Sequence, residues 1–116
     1  MLDRDGILAC QDLETEAVEV AEWCDTVYVR TMTGKERDHF EQTVADQREG
    51  ERFDVRGVRA LLVALTLCDE NGEGLFTADD VDALNAKSAA ALDTLFDVSR
   101  RLNHLRPEDV EDLAGN

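Results

Sequence analysis

The sequence predicts a mainly α-helical fold with a small N-terminal β-hairpin, a single small helical domain of about four to five helices. Three observations carry that reading. Two short runs near the start, TEAVEV and TVYVR, alternate valine with other residues. Helix-start signals recur after Thr31. Residues 55–68 are apolar on nearly every side, the mark of a helix at the centre of a fold. The 116 residues suit one domain, 1–116, with a helical turn and hairpin at 1–31 and a helical body at 32–116.

Taken in order, residues 3–11 hold Ile7 and Leu8 in an acidic setting and predict a turn or so of helix. In TEAVEV, Val18 and Val20 share one face of a strand. AEWCD turns the chain, and TVYVR returns it with Val27 and Val29 alternating. Two strands alone are marginal in water, so the valine face needs helices or a partner to cover it. Thr33 followed by Glu36 is a capping-box signature. The helix it starts, to about Gln47, has few apolar residues beyond Phe40 and Val44, which places it on the surface or against a partner. Residues 48–54 form a charged loop. Val58, Leu61, Leu62, Val63, Leu65 and Leu67 then make the central buried helix over 55–68. A third helix starts at Thr77 and presents Val81 and Leu84. Ser88 caps a fourth, with Leu92, Leu95, Phe96 and Leu102 as its apolar side. Pro107 suits the first turn of a last short helix carrying Val110 and Leu113.

The composition narrows the function. There are 27 acidic against 12 basic residues, a net charge of −15. Such a surface repels nucleic acid and anionic membranes. Aromatics are only 5%, so aliphatic side chains build the core. Three cysteines, Cys10, Cys24 and Cys68, match no zinc spacing and read as reduced thiols. No segment approaches membrane-spanning length, and the first residues are acidic where a secretion signal is basic. A cytoplasmic location is the expectation.

The run LCDENGEGLFTADD, residues 67–80, admits two readings. Aligned to a calcium loop, Asp69, Asn71 and Glu73 take the first side-chain ligand positions, Gly74 the sharp turn, and Asp80 the closing acid. Read as local structure, Asn71-Gly72 turns the chain. Thr77 then caps a helix, Asp80 closes the capping box, and Phe76 staples against Val81. The calcium reading is weakened by an aspartate where the longer glutamate is usual, and by the lack of a second loop. No cofactor is expected on the local reading.

Nothing in the sequence supports an enzyme. The acid pairs Asp79-Asp80 and Glu108-Asp109 sit in first helical turns, where the helix dipole favours them. His39 and His104 lie on polar helix faces and read as solvated. Arg48, Arg52, Arg56 and Arg59 offset neighbours such as Glu49, Glu51 and Asp54, or meet an acidic face on another copy. Val18, Val20, Trp23, Val27, Val29, Phe40 and Val44 are candidate partner contacts. For the valine face, completing the monomer core is the simpler reading, as is a lid over the core for Trp23.

The series of segments resembles a family. DGILACQDLETEAVEV, EW, VYVRTMTGKERDHFE, RALLVALTLCDENGEGLFTADDVDAL, KSAAALDTLFDVSRRLN and LRPEDVEDL, in that order, are similar to tail assembly chaperones of long-tailed bacteriophages and prophages. The resemblance spans nearly the whole chain, though no single motif is diagnostic. It implies a non-enzymatic role: binding and solubilising the tape measure protein and helping to recruit tail tube protein around it. It further implies self-association into an oligomer or spiral, action in the cytoplasm of the bacterial host cell, and absence from the mature virion. The remaining alternative is a small acidic calcium-binding protein with an EF-hand-like loop at 69–80.

Overall fold

The valine alternation produces a hairpin. In the computed structural model, which describes residues 1–49 and 55–105 (the side chains of 47–49 and 55–56 apart), β1 spans Thr15–Val20 and β2 spans Asp25–Arg30. They pair antiparallel, with Val18 opposite Val27 and Val20 opposite Asp25. A 3-10 turn, Ala21–Trp23, joins them and ends on Cys24 in the left-handed region. Val18, Val20 and Val29 are buried beneath the sheet, and Trp23 and Val27 pack at the edge of the same cluster. Ahead of the hairpin, helix α1 (Arg4–Ala9) is capped by Asp3, whose Oδ1 accepts from the Gly6 N–H at 2.8 Å.

Helix α2 (Gly34–Glu49) starts on the predicted capping box. Glu36 N–H donates to Thr33 Oγ1 at 3.2 Å, and Thr33 N–H donates to Glu36 Oε1 at 2.9 Å. The helix runs past Gln47, so Arg48 and Glu49 of the expected loop are helical. The rest of that loop, 50–54, and the helix expected after Pro107 lie outside the described residues.

Helix α3 (Val55–Thr66) divides its side chains between two clusters. Ala60, Val63 and Ala64 join Leu67 under the sheet and against α5 (Ala89–Leu102). Val58, Leu61, Leu62 and Leu65 face the other way, with Phe40 of α2 and Leu105. Each set follows a spacing of three to four residues, so the helix carries two apolar stripes rather than one.

The helix was expected to continue through Cys68. It stops at Thr66, and Leu67–Cys68 form a third strand, β3, pairing with β2 through Val29 and Tyr28. The strand order is β1-β2-β3. Leucine favours helix locally. Here the free backbone edge of β2 and a buried place for Leu67 outweigh that preference. The reading of everything after Thr31 as helical is corrected accordingly. Beyond β3, Gly74 bridges to Cys68, and Leu75 N–H donates to Leu67 carbonyl oxygen. A 3-10 turn, Ala78–Asp80, then leads into α4 (Val81–Asn85). Ser88 caps α5 as predicted, accepting from Ala91 N–H at 3.3 Å.

Where α3 meets α5 there is one buried hydroxyl pair. Thr66 Oγ1 and Ser99 Oγ are 2.8 Å apart, and Thr66 Oγ1 also donates to the Leu62 carbonyl at 2.7 Å. Both residues are fully buried. Replacing Thr66 strands the Ser99 hydroxyl, which costs about 1–3 kcal/mol, whereas replacing Ser99 leaves Thr66 its bond to the Leu62 carbonyl and costs less. Thr66→Val and Ser99→Ala should each lower the urea midpoint. The double variant should lose less stability than the two single losses added together.

Candidate interaction surface

The end of α5 is where the hairpin, α2 and the core are tied together. Asn103 Oδ1 accepts from Met32 N–H at 2.6 Å, and its Nδ2 donates to the Ser99 carbonyl at 2.9 Å. Its own carbonyl accepts from Arg37 Nη1 at 3.2 Å. One side chain thus satisfies the backbone between β2 and α2 while capping α5. His104 follows with φ 54°, a left-handed conformation. Its N–H returns to the Arg101 carbonyl, and the Leu105 N–H returns to the Arg100 carbonyl. This is a Schellman turn. It drops Leu105, 5% exposed, into the α2-side cluster.

A second tie is ionic. Arg30 Nη2 lies 2.7 Å from Glu36 Oε2, with the two side chains 11% and 23% exposed. Glu36 therefore serves the helix cap with one oxygen and Arg30 with the other. Neither Asn103 nor the Arg30–Glu36 pair was picked out from sequence. A lone asparagine near a helix end gives a weak signal, and its partner Met32 is 71 residues away; Arg30 and Glu36 are six apart but lie on different elements.

The candidate contact residues divide into two groups. Val18, Val20, Val29 and Phe40 are buried in the chain's own clusters, because the helices cover the valine face. Trp23, Val27 and Val44 pack against those clusters but keep part of their surface open. The exposed large apolar residues lie mostly elsewhere: Met1, Leu2, Ile7, Leu8 and Leu13 in the first segment, and Leu75. Ile7 and Leu8 were visible in the sequence. Their exposure was not, because it follows from α1 having no buried residue.

In the 69–80 run, the acids are occupied by the backbone. Asp69 Oδ1 accepts from Asn71 N–H at 2.8 Å and from Glu73 N–H at 3.0 Å. Asp80 Oδ2 accepts from Thr77 N–H at 2.8 Å, completing the capping box with Thr77. The positive φ, 85°, falls on Gly72, not on Gly74 as a calcium loop needs. Phe76 and Val81 both pack on the sheet-side cluster. Asp69 and Asp80 thus each bond to backbone of their own turn. Among the described residues no group of three or more His, Cys, Asp or Glu side chains is placed to hold a metal ion.

Other reactive groups are equally separate. His39 and His104 are exposed on different elements. Cys10 and Cys24 are exposed, and Cys68 is buried. Burial pushes the Cys68 thiol above its ordinary value; Arg30 works against the rise and Asp69 adds to it. Arg59 pairs with Asp93 of α5 at 2.6 Å; the acids expected to offset it, Glu51 and Asp54, and the side chain of Glu49 lie outside the described residues. The side chains of Arg48, Arg52 and Arg56 lie outside the described residues. Among the described residues no helix is long and apolar enough to cross a membrane.

The elements together define a small acidic, mainly helical protein with a three-stranded antiparallel sheet near its N-terminus. Residues 7–116 match the family described as phage tail assembly chaperone, and the chain belongs to that family. Its fold is similar to the solved structure titled "Structure of bacteriophage HK97 tail assembly chaperone". The TM-score is 0.59 at 17% identity, over 78% of this chain and 85% of that one. At that identity the likeness is one of fold. No curated protein matches the sequence.

Two measurements test the local account. Asn103→Ala should cost about 1–3 kcal/mol, because it leaves the Met32 N–H without its acceptor. His104→Gly, by contrast, should raise stability by up to about 1 kcal/mol by relieving the left-handed strain. Both are read from chemical denaturation midpoints. In thermal melts, millimolar calcium and millimolar magnesium should shift the midpoint equally. A much larger shift with calcium would mean that the 69–80 run rearranges around the ion.

Proposed function

We propose that this chain binds the tape measure protein of its phage, keeps it soluble and extended, and helps to recruit tail tube protein around it. It does so by binding alone, without catalysing a reaction. It self-associates into an oligomer or spiral, works in the cytoplasm of the host cell, and is left out of the finished virion. Membership of the tail assembly chaperone family is the observation that carries this reading. The physical properties support it. A net charge of −15 on a small domain gives any assembly it coats a strong like-charged surface, which opposes aggregation. Within the hairpin and α2, Trp23, Val27 and Val44 retain open apolar surface for a partner. Val18, Val20, Val29 and Phe40 serve the reading indirectly, by holding that surface in place.

Co-expression is the direct test. Made with the tape measure protein encoded beside it, the chain should raise the soluble fraction of that protein severalfold and be isolated in complex with it. If solubility is unchanged and no complex survives purification, the chaperone reading fails.

A further inference from the structure

Five of the six exposed large apolar side chains among the described residues belong to one short stretch: Met1, Leu2, Ile7, Leu8 and Leu13. This stretch leads up to Glu14, where the chain becomes fixed. There the Glu14 N–H donates to Thr31 Oγ1 at 3.0 Å, and the Thr31 N–H donates to the Glu14 carbonyl at 2.9 Å. Ahead of that anchor α1 forms, but it buries nothing: Ile7 is 58% exposed and Leu8 68%. A solvated helix that short is not held by its own hydrogen bonds. Apolar surface gathered in this way marks a contact site.

The charges around it say what it meets. Asp3, Asp5, Asp12 and Glu14 flank the apolar residues, against Arg4 alone. A hollow brings Gln11–Leu13 beside Asn71, Gly72 and Arg30, whose charge is paired with Glu36. That turn adds Asp69, Glu70 and Glu73, with Leu75 exposed at its end. The surface is apolar with an acidic rim. An anionic lipid surface is repelled there, and a second copy, at a net charge of −15, is a poorer complement than a basic segment. A helix whose apolar stripe is bordered by lysine or arginine complements both features.

We propose that residues 1–14, with the 69–75 turn beside them, form an arm that docks basic amphipathic helices of the client protein. This rests on the chaperone reading and specifies the class of segment recognised. The apolar side chains supply the grip and the acidic rim selects the sign of charge.

The test uses the full chain and a labelled synthetic helix carrying a leucine stripe bordered by lysines, with a glutamate-bordered twin as control. Fluorescence anisotropy should show binding of the lysine peptide, weakened by added salt, and little binding of the twin. The I7D/L8D variant should bind the lysine peptide about tenfold more weakly or worse, with an unchanged melting temperature because neither side chain is buried. That variant is more negative than the parent, so attraction by charge alone predicts the opposite. I7A/L8A, which keeps the charge, should weaken binding in the same direction. Equal or tighter binding by I7D/L8D overturns the proposal. So does a changed self-association by sedimentation with peptide binding intact, which would assign the arm to contacts between copies. If the parent carries the tape measure protein through co-purification and I7D/L8D does so equally well, the arm proposal falls and the chaperone reading stands. If neither variant nor parent carries it, the chaperone reading falls, and the peptide titration alone decides whether the arm binds basic helices.

Discussion

Helix α3 has almost no side open to water, and the rest of the described structure is arranged around that fact. Ala60, Val63 and Ala64 need the sheet and α5 on one side. Val58, Leu61, Leu62 and Leu65 need α2 and Leu105 on the other. A helix with two apolar stripes cannot be satisfied by one neighbour. It therefore dictates a layer on each flank: the sheet and α5 on one side, and on the other α2, which contributes little more than Phe40 and Val44. Alanines 60, 64 and 91 keep the sheet-side contact close, while the buried hydroxyls of Thr66 on α3 and Ser99 on α5 satisfy each other. Val81 and Phe96 touch both clusters and close the space around the helix.

The layers are then held in register by a few polar groups. Asn103 joins the end of α5 to the backbone entering α2, and Glu36 joins the α2 cap to Arg30 at the end of β2. The hydrophobic effect has no direction and would tolerate sliding of α2 against α3. Hydrogen bonds to specific backbone groups do not tolerate it. In a chain with 5% aromatics, where flexible aliphatic side chains make the core, such fixed contacts specify one arrangement. The same arrangement turns most acids outward and leaves the first segment without cover.

Local signals in the sequence survived folding well. The Thr33–Glu36 and Thr77–Asp80 capping boxes form as their spacing predicts, Ser88 caps α5, and Asn71-Gly72 turns the chain. Each depends on residues within about four positions of one another, so no knowledge of the fold was needed. The competing calcium geometry for 69–80 required the same acids to converge. Instead, nearby backbone N–H groups take up Asp69 and Asp80. Non-local decisions were not legible. Leu67 and Cys68 read as the end of a helix, because nothing in LTLC announces that β2 offers them an edge. Val18, Val20 and Val29 are contact residues or core residues according to what covers them, and α3 and α5 cover them.

By itself, the sequence determined the charge, the hairpin, the helix starts, the central position of the apolar helix that begins at residue 55 and, through the order of its segments, the resemblance to tail assembly chaperones. These are matters of composition, of periodicity and of contacts between near neighbours. Only the tertiary structure decided that α3 gives way to a third strand, that Asn103 joins three elements, and which apolar side chains remain outside. Burial is a property of what lies opposite a residue. For Val20 and Leu8 that is fixed by chain packing from elsewhere in the fold, which covers the first and leaves the second in water.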